Sequence, residues 1–516
     1  MTRSLNPDRP TLQKLAAGTI AALLAAKLLL HLAALTQYGY FRDELYYLAS
    51  TDHLAWGYVE HPPLSIALLA LVRAVLGDSL PALRFVPLVA GTAVVLLTAI
   101  LARRLGGGGF AQGIAALAAV MAPAFLGTGR YYSMNALDLL FWTLASLATL
   151  RALERGRPRD WAALGVLLGL GLLNKISMGW FGGGLAIGLL ATRQRRALLG
   201  AGPWLAAAIA LAIFAPHVIW QIRNGWPTLE FIRNATSLKM AATTPGDFVK
   251  DQILTMNPGA APLWIAGLLY GLFALRGRPG QVFSWIYLSV LALLLAQGHS
   301  RASYLVVAYP PLLALGGVAV ERSTGTTWRW VRPALAALII MTGLVAVPLA
   351  LPVLPARTFV RYQSALGMAP RTEERNAMGA LPQDYADMFG WEEMAGLVAK
   401  AYDQLTPEER GRCLIFGQNY GEAGAIDVIG RKRGLPPAIS GHNSYWLWGP
   451  RRREWDVVII IGGDRQDNAA FFDRIEIVGQ TRSEWAMPYE RGLDVSIARG
   501  PRMPLAEAWP RLKQYI

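Results

Sequence analysis

The stretch YFRDELYY, residues 40–47, places an arginine and two adjacent acids among aromatic side chains. It comes shortly after an apolar segment at about Leu15–Leu35. This segment is too long for the core of a signal peptide, which has about 7–15 residues, so we predict an uncleaved first membrane span. Because burying an unpaired carboxylate costs roughly several kcal/mol or more, the pair Asp43 and Glu44 either reaches water or takes part in chemistry.

Long apolar runs dominate the first two thirds of the chain. Of the 516 residues, 54% are hydrophobic and only 16% are charged. Runs of about 17–25 apolar residues can cross a bilayer, which predicts a polytopic α-helical membrane protein. The predicted spans, about eleven in number, are Leu15–Leu35, Leu80–Leu101, Ala111–Leu126, Ala136–Leu150, Trp161–Leu173, Trp180–Ala191, Leu199–Trp220, Pro262–Leu275, Val282–Ala296, Ser303–Val320 and Pro333–Leu351. The loop at residues 37–79 holds two shorter helices, Leu45–Leu54 and Pro62–Leu76, which we expect at the membrane surface.

Positive charges alternate between the short loops that join these spans. Loops on one side carry two to four arginines each, whereas those on the other side carry one cation each, namely Arg130, Lys175 and Arg301. By the positive-inside rule the N-terminus is cytoplasmic, and the outer face receives these cations, Asp43 and the near end of the Asp138 span. This topology also explains the net charge of +15, so we predict no nucleic-acid partner.

Soluble nucleotide sugars and ATP are cytoplasmic, so an outer-face site would need a donor that arrives through the lipid. The longer outside loop at residues 221–259 begins with Trp220 and Trp226 nearby and carries the cations Arg233 and Lys239. This composition suits either a lid at the membrane interface or an ordinary loop anchored by aromatic side chains.

Composition changes after about Arg357, where charges become frequent and apolar runs shrink to strand length. The predicted strands are Cys413–Phe416, Val457–Ile461, Ile475–Val478 and Leu493–Ile497, and the predicted helices are Trp391–Gln404 and Glu422–Ile429. This alternation predicts a C-terminal extramembrane α/β domain at residues 357–516, after a transmembrane domain at residues 1–356. The loop at residues 417–424 could hold a phosphate or a sugar, but it lacks the full dinucleotide fingerprint, which favours a structural turn.

Asp43 is the candidate general base for an acceptor hydroxyl. Adjacent residues on a helix point about 100° apart, so only one of the two acids can face the reaction. The other acid is then expected to meet a structural partner such as Arg42 or Arg84. The aromatic neighbours Tyr46 and Tyr47 favour a sugar-binding site over the alternative, an ordinary solvated loop acid.

Pro62 and Pro63 restrict the backbone and place Glu60 and His61 just before an apolar helix. A donor phosphate or a metal could bind there, and the alternative is a helix entry in which the glutamate favours the dipole. Acids inside apolar runs are functional or paired by default, which makes Asp138 another candidate. The remaining candidate substrate-binding residues are Arg84, Arg130, Tyr131, Lys175, Arg301 and Tyr304.

The ordered series Asp43-Glu44, Glu60-His61-Pro62-Pro63-Leu64, Arg84, Asp138 and Asn174-Lys175 resembles the GT-C glycosyltransferases. The resemblance covers roughly the first 320 residues, and it is strongest to protein O-mannosyltransferases and to the aminoarabinose or galacturonic acid transferases of lipid A. It implies that Asp43 is catalytic, that Glu44 supports it or touches the acceptor, and that Asp138 is the second acid. It also implies that Lys175 and His61 contact the donor phosphate, although many relatives have a lysine where this chain has His61.

We therefore predict an inverting transferase that moves a sugar from a polyprenyl-phosphate donor to a lipid, glycan or protein acceptor. Its expected place is the bacterial inner membrane, among membrane lipids, with the site on the non-cytoplasmic face. We assign no cofactor and no metal ligand, and the acids could supply oxygen ligands to a divalent cation. The alternative function is a polytopic transporter with an extracytoplasmic binding domain.

Overall fold

The computed structural model describes residues 13–370, 372, 374–452 and 454–516. The first 12 residues of the predicted membrane domain lie outside this range. The α-helices are α1 Ala17–Ala34, α2 Arg42–Ser50, α3 Leu64–Leu76, α4 Leu80–Arg104, α5 Gly109–Met121, α6 Pro123–Thr128, α7 Met134–Arg155, α8 Pro158–Asn174, α9 Met178–Ala191, α10 Ala201–Arg223, α11 Pro227–Asn234, α12 Pro245–Thr255, α13 Ala261–Leu269, α14 Gln281–Gln297, α15 Tyr309–Ser323, α16 Val331–Ala350, α17 Ala356–Ala365, α18 Gln383–Ala386, α19 Trp391–Asp403, α20 Pro407–Arg412, α21 Tyr420–Val428, α22 Ser444–Trp448, α23 Arg465–Phe471 and α24 Leu505–Ala508.

Short 3-10 and π turns extend several of these helices. The π turns are Ala235–Lys239 and Tyr270–Ala274, and the 3-10 turns are Arg193–Leu199, Pro258–Ala260, Ala302–Ala308, Gly430–Arg433, Pro488–Glu490 and Trp509–Leu512. The predicted outside loop at residues 221–259 is therefore mostly helical, because α11, the first π turn and α12 occupy it.

Six helical segments in the described part of the chain are long and apolar enough to cross a membrane. They are α1, α4, α7, α10, α16 and the continuous segment Ala302–Ser323 that contains α15. Five shorter apolar helices of 10–17 residues accompany them. This architecture confirms the predicted polytopic helical fold, whereas the count of eleven spans stays a prediction.

One predicted span, Ala111–Leu126, is broken into α5 and α6. Pro123 has no N–H to continue the helix, and the residue before it is extended, as is usual before proline. The buried Lys27 ammonium of α1 donates to the Phe125 carbonyl at 3.0 Å, and His31 lies 3.3 Å from the Leu126 carbonyl. Polar side chains of the first span thus meet carbonyl groups at the end of α6.

A five-stranded sheet forms the centre of the C-terminal region. The strands are β1 Cys413–Gly417, β2 Ala438–Ile439, β3 Val457–Ile461, β4 Phe472–Gln480 and β5 Asp494–Pro501, in the order β2-β1-β3-β5-β4. Strands β2, β1 and β3 are parallel, and β5 is antiparallel to both of its neighbours. The predicted α/β character is confirmed, and β2 was missed because it has only two residues.

The α/β region packs directly on α2. Leu45, Tyr46 and Leu48 share one buried core with Ala423 and Ile426 of α21. Burial of this apolar surface joins the sheet region to the segment that carries the acid pair. The C-terminal region therefore forms one wall around that segment.

Candidate functional site

Helix α2 starts three residues earlier than predicted, at Arg42. The Phe41 backbone N–H donates to Glu44 Oε2 at 2.9 Å, which satisfies a group that would otherwise lack a partner at the helix start. Both acids consequently lie in the first helical turn, where the helix dipole favours negative charge. Their side chains diverge, as the helical spacing predicts.

Glu44 is fully buried against Arg84. The Arg84 guanidinium donates to Glu44 Oε1 at 3.1 Å and to Oε2 at 2.9 Å, and the Tyr132 N–H donates to Oε1 at 2.8 Å. The other Arg84 donors bind the carbonyl oxygens of Leu35 and Gly39, both at 2.7 Å. Because protein groups occupy these atoms, the catalytic role of Glu44 and the substrate-binding role of Arg84 are both corrected: the pair positions α2.

Asp43 points the other way and its side chain is 35% exposed. The Tyr420 hydroxyl of α21 donates to Asp43 Oδ1 at 2.8 Å, and the Arg42 Nε lies 3.9 Å from the same oxygen. Of the two adjacent acids, Asp43 is therefore the one with access to a reactant.

Tyr46 and Tyr47 are buried and lie behind the carboxylate. The Tyr46 hydroxyl donates to Glu60 Oε2 at 2.9 Å, and the Tyr46 ring packs on Tyr420 with centroids 4.7 Å apart. The Tyr47 ring stacks on His61 at 4.9 Å. Because protein covers these rings, we correct their predicted role: they build the wall of the site and do not stack on a sugar.

Burial disfavours the charged forms of both Glu60 and His61. Burial raises the pKa of Glu60 to about 7. Burial lowers the pKa of His61 to about 4, so its imidazole is uncharged at neutral pH. His61 is also 2% exposed, which corrects its predicted role as a cationic contact for the donor phosphate.

Arg301 meets a second cation that the sequence did not single out. Its Nη2 lies 2.7 Å from Glu374 Oε1, and Lys239 Nζ lies 3.5 Å from the same oxygen. Burial alone would raise the pKa of Glu374, but Lys239, Arg42 and Arg301 hold it at about 2. Burial lowers the pKa of Lys239, and the positive charge of Arg42 lowers it further.

Asp138 lies in a separate polar group. Ser177 Oγ donates to Asp138 Oδ2 at 2.7 Å, and Lys175 Nζ lies 3.6 Å from that oxygen. Lys175 also donates to Asn135 Oδ1 at 2.8 Å and lies 5.5 Å from the centre of the Tyr304 ring. Asp138 thus neutralises Lys175, and no contact among the described residues joins Asp138 to Asp43.

Arg130 and Tyr131 connect the helices to the region after α17. The Arg130 guanidinium lies 2.6 Å from the Asp384 carboxylate and between the Tyr131 and Tyr385 rings, at 5.1 and 5.2 Å from their centres. Tyr131 stacks on Phe41, next to the acid helix, with ring centroids 4.1 Å apart. These contacts make Arg130 a structural anchor and leave Tyr131 at the edge of the site.

Two carboxyl groups that the sequence does not single out, those of Glu422 and Glu490, lie behind Tyr420. Asn419 Nδ2 donates to Glu422 Oε1 at 2.9 Å and to Glu490 Oε1 at 3.0 Å. Burial raises the pKa of Glu490 to about 7 and raises that of Glu422 as well. The loop at residues 417–424 was noticed in the sequence, but only the folded chain shows that it meets α2.

Metal ligands do not cluster within the described ranges. No group of three or more His, Cys, Asp or Glu side chains there could hold a metal ion.

Comparison with known proteins identifies relatives of this chain in sequence and in fold. Residues 60–220 match a family described as dolichyl-phosphate-mannose-protein mannosyltransferase. An undecaprenyl phosphate-alpha-4-amino-4-deoxy-L-arabinose arabinosyl transferase from Pseudomonas paraeruginosa is 32% identical over 177 residues, which are 33% of this chain and 32% of the relative. The matched region thus spans about a third of the curated relative's length.

Two solved structures match nearly the whole chain. ArnT from Cupriavidus metallidurans bound to undecaprenyl phosphate has a TM-score of 0.60 at 15% identity, covering 93% of this chain and 98% of that one. The apo state of the same protein has a TM-score of 0.59 at 15% identity, covering 94% and 98%. The predicted resemblance is confirmed: this chain has the GT-C fold of ArnT, and its residues 60–220 match the mannosyltransferase family.

Proposed function

We propose that the protein transfers a sugar from a polyprenyl-phosphate donor to an acceptor hydroxyl, with Asp43 as the general base. The partly exposed Asp43 carboxylate carries this proposal, because it lies among buried aromatic and charged groups and faces away from the structural Glu44–Arg84 pair. The relatives support the donor class, since one acts as an undecaprenyl phosphate-sugar transferase and another was solved with undecaprenyl phosphate.

The reaction needs one base and stabilisation of one leaving group. Asp43 accepts the proton of the acceptor hydroxyl, whose oxygen attacks the anomeric carbon from the side opposite the phosphate. The bond between that carbon and the phosphate oxygen breaks, and its electron pair stays on the lipid phosphate. This displacement inverts the anomeric centre. A phosphate leaves already ionised, so cations that bind it can replace a general acid.

Lys239 and Arg301 are the proposed phosphate contacts. Their side chains are 22% and 30% exposed, and both approach the Glu374 carboxylate. A phosphate is an anion with the same preference for cationic partners, so it would compete with Glu374 for them. Lys175 is already paired with Asp138 and is the weaker candidate.

The site is assigned to the non-cytoplasmic face of a bacterial inner membrane. Arginine-rich loops on the opposite side of the predicted topology support this orientation. The acceptor is proposed to be a lipid, glycan or protein that presents a hydroxyl group to Asp43.

The function is tested with purified full-length protein, a radiolabelled undecaprenyl-phosphate sugar and a membrane extract as acceptor source. We expect release of undecaprenyl phosphate together with transfer of the label. The transporter alternative predicts a different result, namely counterflow of a solute in proteoliposomes without transfer. That outcome would overturn the proposal.

Replacing Lys239 or Arg301 by glutamine should raise the donor KM by about 10- to 100-fold each, because one charged contact contributes about 1.5–3 kcal/mol. The measurement is the rate of undecaprenyl phosphate release at varied donor concentration. Lys250→Gln is the matched control, since Lys250 is an exposed lysine of the same segment. An unchanged donor KM in both variants would remove these residues from the phosphate site.

A further inference from the structure

We infer that Tyr420, a residue of the C-terminal α/β region, positions the Asp43 carboxylate for transfer. This inference rests on the proposed function, since it assigns a role within the same site. The Tyr420 hydroxyl donates to Asp43 Oδ1 at 2.8 Å, although 377 positions separate the two residues. The α/β region thereby contributes a side chain to the centre of a site otherwise built by the helical region.

Tyr420 itself is held from several sides. It is 8% exposed, and its ring centre lies 5.3 Å from the Arg42 guanidinium carbon. The ring also packs on Tyr46 and His442, with centroids 4.7 and 4.9 Å away. Such a confined ring leaves the hydroxyl little freedom except to point at Asp43.

Close approach of α21 to α2 makes the contact possible. Asn419 caps α21 by accepting the N–H groups of Gly421 at 2.8 Å and Glu422 at 3.0 Å. A Cβ atom at Gly424 would lie 3.0 Å from the Leu45 carbonyl carbon, and one at Gly421 would lie 2.5 Å from Arg42 Cγ. Glycine at both positions therefore lets the helices come close enough for the hydrogen bond.

The hydrogen bond gives the two oxygens of the Asp43 carboxylate different roles. Oδ1 accepts from Tyr420, whereas Oδ2 accepts no hydrogen bond from any described residue. Oδ2 is thus the atom that takes the acceptor proton, while the acceptor oxygen bonds to the anomeric carbon and the lipid phosphate leaves with the electron pair. Tyr420 keeps its proton throughout and fixes the rotation of the carboxylate, so it is a positioning residue.

The test is Tyr420→Phe in the full chain, assayed by undecaprenyl phosphate release. We expect kcat to fall by about tenfold, the equivalent of one hydrogen bond, with the donor KM changed by less than about twofold. Tyr445→Phe is the matched control, because Tyr445 is a buried phenol of the same region that donates to Asp427 Oδ2 at 2.9 Å. This control should keep its kcat.

A double variant distinguishes a positioning role of Tyr420 from a general loss of structure. In the Asp43→Asn background, Tyr420→Phe should cause no further loss of kcat, because the two changes act on one step. If Tyr420→Phe lowers the thermal midpoint strongly, Gly424→Ala, which pushes the helices apart, provides the second variant and should also lower kcat.

Four results would overturn the inference. Wild-type kcat in Tyr420→Phe, or an equal loss in Tyr445→Phe, would reject the role of Tyr420 and leave the proposed function intact. Independent, multiplicative losses in the double variant would do the same. A wild-type protein that transfers no sugar would overturn the proposed function and this inference together.

Discussion

Replacing Asp43 by asparagine should lower kcat by about 10²–10⁴-fold, the range typical for loss of a general base. Asparagine keeps the size of the side chain and can still accept a hydrogen bond from Tyr420, but it cannot accept the acceptor proton. The donor KM should change little, since the proposed phosphate contacts are Lys239 and Arg301. Initial rates of undecaprenyl phosphate release measure both quantities.

Asp78→Asn is the control for this variant. The Asp78 side chain is 39% exposed, close to the 35% of Asp43, and its partner Lys432 lies 3.7 Å away in the α/β region. This change should leave kcat near the wild-type value. Substantial activity of Asp43→Asn would contradict base catalysis on a hydroxyl, and would indicate an acceptor that is already ionised, such as a phosphate.

Replacing Arg84 by methionine should destabilise the protein by about 3–5 kcal/mol, because it leaves the buried Glu44 carboxylate without its cation. Glu44 is 0% and Arg84 1% exposed, so water cannot compensate. We expect a large fall in the thermal midpoint of the detergent-purified protein, with loss of activity following loss of fold.

Two further variants check the origin of this loss. Adding Glu44→Gln to Arg84→Met should recover part of the stability, since the uncompensated charge is removed. Arg104→Met, on the same helix, breaks a partly exposed pair with Glu154 at 3.7 Å and should cost less than about 1 kcal/mol. Equal midpoints for Arg84→Met and Arg104→Met would refute the structural role of Arg84.

The sequence predicts the local features of this fold well. Apolar runs and strand-length segments are patterns of residues adjacent in the sequence. The helical region and strands β1, β3, β4 and β5 can therefore be predicted from the sequence. The divergence of Asp43 and Glu44 follows from helical spacing alone, and Arg84 was already a candidate structural partner. The break at Pro123 was missed because the apolar run continues on both sides of it.

Contacts between distant segments could not be predicted in the same way. Lys239 and Arg301 meet at Glu374 only in the folded chain, and the loop that carries Tyr420 shows no pattern that points to Asp43. Burial also sets the protonation state of a side chain, which the residue type alone does not determine. His61 looks like a phosphate ligand in the sequence, but burial keeps its imidazole neutral.

The central claim is that a lipid-linked sugar reacts at Asp43, and a structure of the full chain with an undecaprenyl-phosphate sugar bound tests it most directly. We predict that the phosphate contacts Lys239 and Arg301 in place of Glu374, and that the anomeric carbon faces the space beside Asp43 Oδ2. A donor whose phosphate lies at Lys175, with its sugar out of reach of Asp43, would contradict the account.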